Sequence, residues 1–115
     1  QAASVACMYM LLRVYHAEMD HCRVALPKDQ EERYLRLRAA MESYIRTNAK
    51  NDPEKLISGV DGNIKRALAS LTSCRSDDFN LARQAMDQFT AVTNQKDMYD
   101  QLKYPGDPQA GSCGT

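Results

Sequence analysis

Residues 52–74 read DPEKLISGVDGNIKRALASLTSC, running from Asp52 to Cys74. Asp52 is placed to cap the free amides of a helix start, and Pro53 suits the first helical position, where no donor is needed. Ile57, Val60, Ile64, Ala67, Leu71 and Cys74 then recur every three or four residues, the spacing of one helical face. Gly59 and Gly62 interrupt this stripe, at a cost of about 1 kcal/mol each relative to Ala. The spacing therefore predicts a weakened but continuous helix with a cysteine at its far end.

Three other segments share that period. From about Ala3 to Val24 the stripe is Val5, Met8, Leu12, Tyr15, Met19 and Cys22, and Pro27 stops it. From about Asp29 to Asn48 it is Tyr34, Leu37, Met41, Tyr44 and Ile45. Asp29, Glu31 and Glu32 there sit at the positive end of the helix dipole. Ser76 caps the last segment, with Asp77 and Asp78 in its first turn. Phe79, Ala82, Met86, Phe89 and Val92 form its stripe, and Tyr99 and Leu102 extend it to about Tyr104. Pro105-Gly106-Asp107-Pro108 ends it. No strand-like alternation appears. The expected fold is all-α: an antiparallel up-down-up-down four-helix bundle over residues 1–104, with residues 105–115 a tail tied back by Cys113.

The cysteines test that topology. If the first helix rises, Cys22 stands at the top, and the third helix, also rising, brings Cys74 beside it. The fourth descends and returns Cys113 to the bottom, near Cys7. Cys7–Cys22 would have to span ~22 Å along one helix, against the ~6 Å that a disulfide allows. Cys7–Cys74 with Cys22–Cys113 would join opposite ends. The predicted pairs are Cys22–Cys74 and Cys7–Cys113.

Composition sets the remaining bounds. The chain has 115 residues, with 15 Lys+Arg balancing 15 Asp+Glu. That length fits one domain, and zero net charge removes the usual electrostatic case for a nucleic-acid partner. The longest nearly apolar run, Val5–Leu12, is far short of the roughly 20 residues of a membrane span. Leu, Ile, Val and Phe total only 20 residues, so Met, Tyr and Ala must help fill the core, and disulfides would reinforce it. The cysteines are separated by 14, 51 and 38 residues, without any C-x-x-C pair, which favours bridges over zinc, haem or redox chemistry. An even cysteine count and a start at Gln1 are read as a processed, exported chain, periplasmic or secreted, with its signal peptide removed.

Other constellations have plainer readings. His16 and Asp20 share a helical face, and an ordinary side-chain pair is favoured over a metal site. Met8 lies on the core stripe, so packing is favoured over ligation for it and Met10. Cys7 after Ser4-Val5-Ala6 is read as a disulfide cysteine rather than a lipidation site. Arg33, Arg36, Arg38 and Arg46 are interleaved with Glu31, Glu32 and Glu42 as a solvated face. No nucleophile, zinc-protease or phosphate-loop motif occurs, and no cofactor is expected.

The frame resembles plant invertase and pectin-methylesterase inhibitors and insect odorant-binding proteins in outline alone, because their closely spaced cysteine pairs are absent. Small periplasmic immunity proteins are similar in size, helical class and compartment. No residue role carries over from any of them. The functional expectation is an exported, non-enzymatic binding protein with a protein partner in the cell envelope or exterior, most specifically an inhibitor or immunity-type protein that binds a secreted or periplasmic enzyme. The alternative is a small-ligand carrier whose cavity is lined by Met8, Met19, Met41 and Met86 together with tyrosines. The candidate contact residues are Gly59, Asp61, Gly62 and Asn63, where helix three either unwinds or packs closely on a neighbour. A tyrosine patch of Tyr9, Tyr99 and Tyr104, at the bottom end, is the second candidate.

Overall fold

In the computed structural model, which describes residues 4–111 and 113, the hydroxyl of Ser4 accepts from the Cys7 amide and opens α1 (Val5–His21). Four more helices follow: α2 (Lys28–Asn48), α3 (Pro53–Ser70), α4 (Asp77–Thr90) and α5 (Val92–Gln101). Among the described residues there is no strand. The caps follow the sequence signals: Asp52 accepts from the amides of Glu54 and Lys55, and Ser76 accepts from that of Phe79. Helix α1 ends three residues earlier than Val24. The amide of Val24 donates to the Met19 carbonyl and that of Arg23 to Asp20, with Arg23 in the left-handed region at φ 56°. This is the usual exit turn of a helix, built on an arginine where glycine is commoner.

Helices α1 and α2 form the centre. α1 lies against α2, α3 and α4, and α2 against α1, α3, α4 and α5. Among the described residues the backbone of α3 comes close to neither α4 nor α5. Burial follows from that position. Val5, Cys7, Tyr9, Leu12, Val14, Glu18 and Met19 of α1 are all buried, on more than one face. α3 buries Val60 fully and only partly buries Leu56, Ile57 and Ile64. The single stripe expected for the first helix is thus too narrow, because that helix is covered from several sides.

The fourth expected helix is two helices. Ala91 is extended at φ −63°, ψ 132°, and the chain turns there without Gly or Pro. Side chains explain the break. Asn94 donates to the Gln88 carbonyl, Gln95 to that of Phe89, and Arg33 to that of Thr90 at 2.7 Å. These groups replace the backbone donors that a continuing helix would supply. Val92, expected on the core stripe, is 69 % exposed as a result.

The path also differs from four alternating helices. Asp78 shares a crevice with Glu18 of α1, whereas Thr90, at the other end of α4, meets Gln30 and Arg33 near the start of α2. α4 therefore crosses the upper half of the molecule, and α5 makes the descent beside α2. There Leu102 lines a groove with Ala40 and Tyr44, and the Tyr44 hydroxyl donates to the Tyr104 carbonyl. Two helices thus accomplish the expected return to the bottom. Cys22 joins Cys74 with Cα atoms 5.6 Å apart, and Cys7 joins Cys113 at 5.3 Å. The tail is further held where the Ala6 amide donates to the carbonyl of Pro108, itself fully buried.

Candidate partner-binding surfaces

The structure separates the sequence-predicted contact residues. Residues 59–63 are regular helix within α3. Gly59 has open space where a Cβ would stand, and at Gly62 a Cβ would meet only the flexible end of Arg66, at 3.5 Å. Neither unwinding nor close helix packing applies there. Asp61 is exposed and pairs with Arg13 at 3.4 Å, and the Asn63 side chain accepts from Arg66. Val60 within this stretch is buried in the core, while Gly59 and Asp61 are exposed and Gly62 and Asn63 half-buried.

Tyr9 is not part of a surface patch: it is 1 % exposed beneath α2. Its hydroxyl donates to Glu42 at 2.5 Å and accepts from Arg13 at 2.7 Å. Sequence reasoning put Tyr9 outside because it lies off the stripe of α1, and the central position of α1 covers that side too. Burial, with the Glu42 contact, pushes the Tyr9 phenol up to about 12 despite Arg13. For Glu42 burial pulls upward, but hydrogen bonds from Tyr9 and Arg38 outweigh it and hold the carboxyl below its usual range.

His16 and Asp20 do meet, at 3.7 Å, but the closer partner is Glu31, whose oxygens lie 2.8 and 3.0 Å from Nε2. The imidazole stacks on Tyr34 with centroids 3.7 Å apart. It ties α1 to α2, and among the described residues no group of three or more potential metal ligands forms.

Of the predicted patch, Tyr104 only offers its backbone carbonyl to the Tyr44 hydroxyl, while Tyr99 joins Tyr44 at a groove of about 530 Å³ between α2 and α5. Its floor is Ala40, Ser43, Tyr44 and Thr47, one face of α2 with mostly small side chains, and Tyr99, Leu102 and Pro105 wall it. Tyr99 is half-buried, which raises its phenol, while Tyr104 is 73 % exposed. The i, i+3, i+7 spacing of Ala40, Ser43 and Thr47 was the signal available in the sequence. It was masked by reading that side of α2 as merely solvated.

A second recess of about 280 Å³ lies between α1, the end of α3 and the start of α4. Tyr15, Glu18, Ser70, Leu71, Asp78 and Leu81 line it. Glu18 is 7 % exposed, and burial together with the Asp78 charge pushes its carboxyl above the usual range. Glu18 lies off the apolar stripe, so periodicity gave no sign of it. No known protein family, curated protein or solved structure matches the chain.

Proposed function

We propose that this chain is an exported, non-enzymatic protein that binds a protein partner in the cell envelope or exterior, most specifically a secreted or periplasmic enzyme that it inhibits. The two disulfides fit an oxidising compartment. The observation that carries the reading is the groove between α2 and α5. Small side chains at Ala40, Ser43 and Thr47 leave room for a bulky apolar side chain of the partner, and Tyr44 and Tyr99 offer aromatic walls. The groove is preorganised, because the other face of α2 is core and the descending segment is held by the Tyr44–Tyr104 and Ala6–Pro108 hydrogen bonds and by Cys7–Cys113. A rigid surface loses little conformational freedom on binding, which favours tight association over a modest area.

The carrier reading has less support. Met19, Met41 and Met86 are 0–1 % exposed and belong to one continuous core, so they fill space rather than line it. A photoreactive amino acid at Ser43, with one at Lys65 on α3 as control, tests the proposal in envelope or extracellular extract. The expected result is one protein adduct at Ser43, none at Lys65, and loss of the captured enzyme's activity when the intact chain is added. Absence of an adduct, with a small molecule retained under native mass spectrometry, overturns it in favour of carriage.

A further inference from the structure

We infer that the recess between α1, the end of α3 and the start of α4 receives a lysine or arginine side chain of a protein partner. The inference rests on the protein-binding reading, at a different surface from the α2–α5 groove.

Glu18 is the starting point. It is 7 % exposed and lines the recess. Among the described residues no hydrogen bond or ion pair engages its carboxylate, whereas the acids at other helix contacts are partnered: Glu42 by Tyr9 and Arg38, Glu31 by His16, Asp61 by Arg13. Among the described residues no fully buried side-chain oxygen lacks a partner, so the unpartnered Glu18 oxygens open into the recess, where an entering cation can pair with them directly. Asp78 supplies a second carboxylate at the same recess, and no lysine or arginine lines it. The end of α3 adds to the field: Ser70 and Leu71 form part of the rim, and the last turn of that helix carries no basic residue against its terminal carbonyls.

The walls select the kind of cation. Tyr15, Leu71 and Leu81 are apolar, and Leu81 is 61 % exposed. An alkyl stem packs on such surfaces while its charged head reaches the carboxylates, as lysine and arginine do. Calcium takes six to eight oxygen ligands, and among the described residues no group of three potential metal-ligating side chains forms here. Burial and Asp78 both push the Glu18 carboxyl upward, so a bound cation would draw it back towards the ionised form.

The test uses the full-length oxidised chain, followed by NMR, with N-acetyl-lysine N-methylamide and its arginine and norleucine counterparts as probes. The lysine or arginine probe is expected to shift the Glu18, Asp78 and Tyr15 resonances saturably, and the neutral norleucine probe is not. Glu18→Gln should weaken that binding at least tenfold while raising the thermal midpoint, which shows that the variant is folded. Asp78→Asn, at an exposed site, should weaken it less. Shifts no larger than those from norleucine, or binding unchanged in both variants, overturn the inference. So does butylamine binding tenfold more tightly than the capped lysine, which would mark a site for a free amine. The Ser43 cross-link reports separately on protein binding: a partner captured there, and held equally by wild type and Glu18→Gln, removes this recess and leaves that reading standing.

Discussion

The Tyr9 hydroxyl donates to Oε2 of Glu42 at 2.5 Å, joining α1 to α2 at the centre of the molecule. Arg13 donates to the same phenol oxygen and Arg38 to the same carboxylate oxygen, so four side chains form a chain of hydrogen bonds. Tyr9 is 1 % exposed, and each member has a partner, which is the condition under which a buried polar network stabilises a fold.

Stability should fall at both pH extremes through this pair. The phenol of Tyr9 is raised to about 12 from 10.0, so its contribution is complete below pH 10 and is lost as pH rises from 10 to 12. Two units correspond to about 3 kcal/mol. Glu42 is depressed, so its contribution is present above its unfolded value near 4.5 and is lost as pH falls through the folded value. Urea midpoints across the pH range check both arms. Tyr9→Phe should cost about 1–2 kcal/mol at pH 7 by leaving Glu42 short of a donor, and should flatten the loss above pH 10.

Gly59→Ala and Gly62→Ala should each stabilise the chain, by about 1 kcal/mol. Both glycines are helical, Gly59 faces open space, and the nearest atom to a Cβ at Gly62 is a mobile guanidinium nitrogen 3.5 Å away. Thermal unfolding of the single and double variants measures the gain. Unchanged cross-linking through Ser43 in the double variant is also expected, since α3 is not part of that groove.

The legibility of the fold followed the strength of local signals. Asp52-Pro53 and Ser76 gave correct helix starts because a cap is a short-range device whose partners lie within three residues. The disulfide pairs were readable because they depend on which end of the molecule a cysteine reaches, and that survived the division of the last helix. The break at Ala91 was not readable. It depends on Arg33, 58 positions away in sequence, and on amide side chains whose donors happen to reach the Gln88 and Phe89 carbonyls. Tyr9 and Glu18 were missed for one reason. Hydrophobic periodicity finds the face of a helix turned to one neighbour, and α1 has three. The groove was half legible: Tyr99 was singled out, but the small residues of α2 that it overhangs, spaced i, i+3, i+7, lay on a side of the helix read as solvated.

Removing either disulfide should destabilise the oxidised chain substantially. Cys22–Cys74 closes a sequence separation of 52 residues and Cys7–Cys113 one of 106. Loop-closure entropy makes these worth about 4 and about 5 kcal/mol singly, and less in combination because one loop lies within the other. The two losses should differ in place. Cys7→Ser with Cys113→Ser frees the tail, so hydrogen exchange should rise first at residues 102–111, where Pro108 and Tyr104 accept hydrogen bonds. Cys22→Ser with Cys74→Ser should instead expose the α3–α4 connection.

Arg33 should govern whether α5 stays docked. Its Nε donates to the Thr90 carbonyl at 2.7 Å, while its guanidinium also meets Asp29 at 3.2 Å. The Thr90 hydroxyl, 1 % exposed as a residue, donates to Met86 and accepts from Gln30. Arg33→Leu removes the donor to the last carbonyl of α4 and leaves that oxygen unpaired, at a cost of about 1–3 kcal/mol. Asp29→Asn removes only the exposed ion pair and should cost well under 1 kcal/mol. Hydrogen exchange separates the consequences, because among the described helices α5 lies against only α2 and α4 and can open while α1 stays packed. Arg33→Leu is expected to speed exchange across Val92–Gln101 while leaving α1 protected. The same variant should weaken partner capture through Ser43, since the Tyr99 and Leu102 wall of the groove stands or falls with α5. Capture as strong as in wild type, with α5 demonstrably opened, would show that the α2 face alone holds the partner.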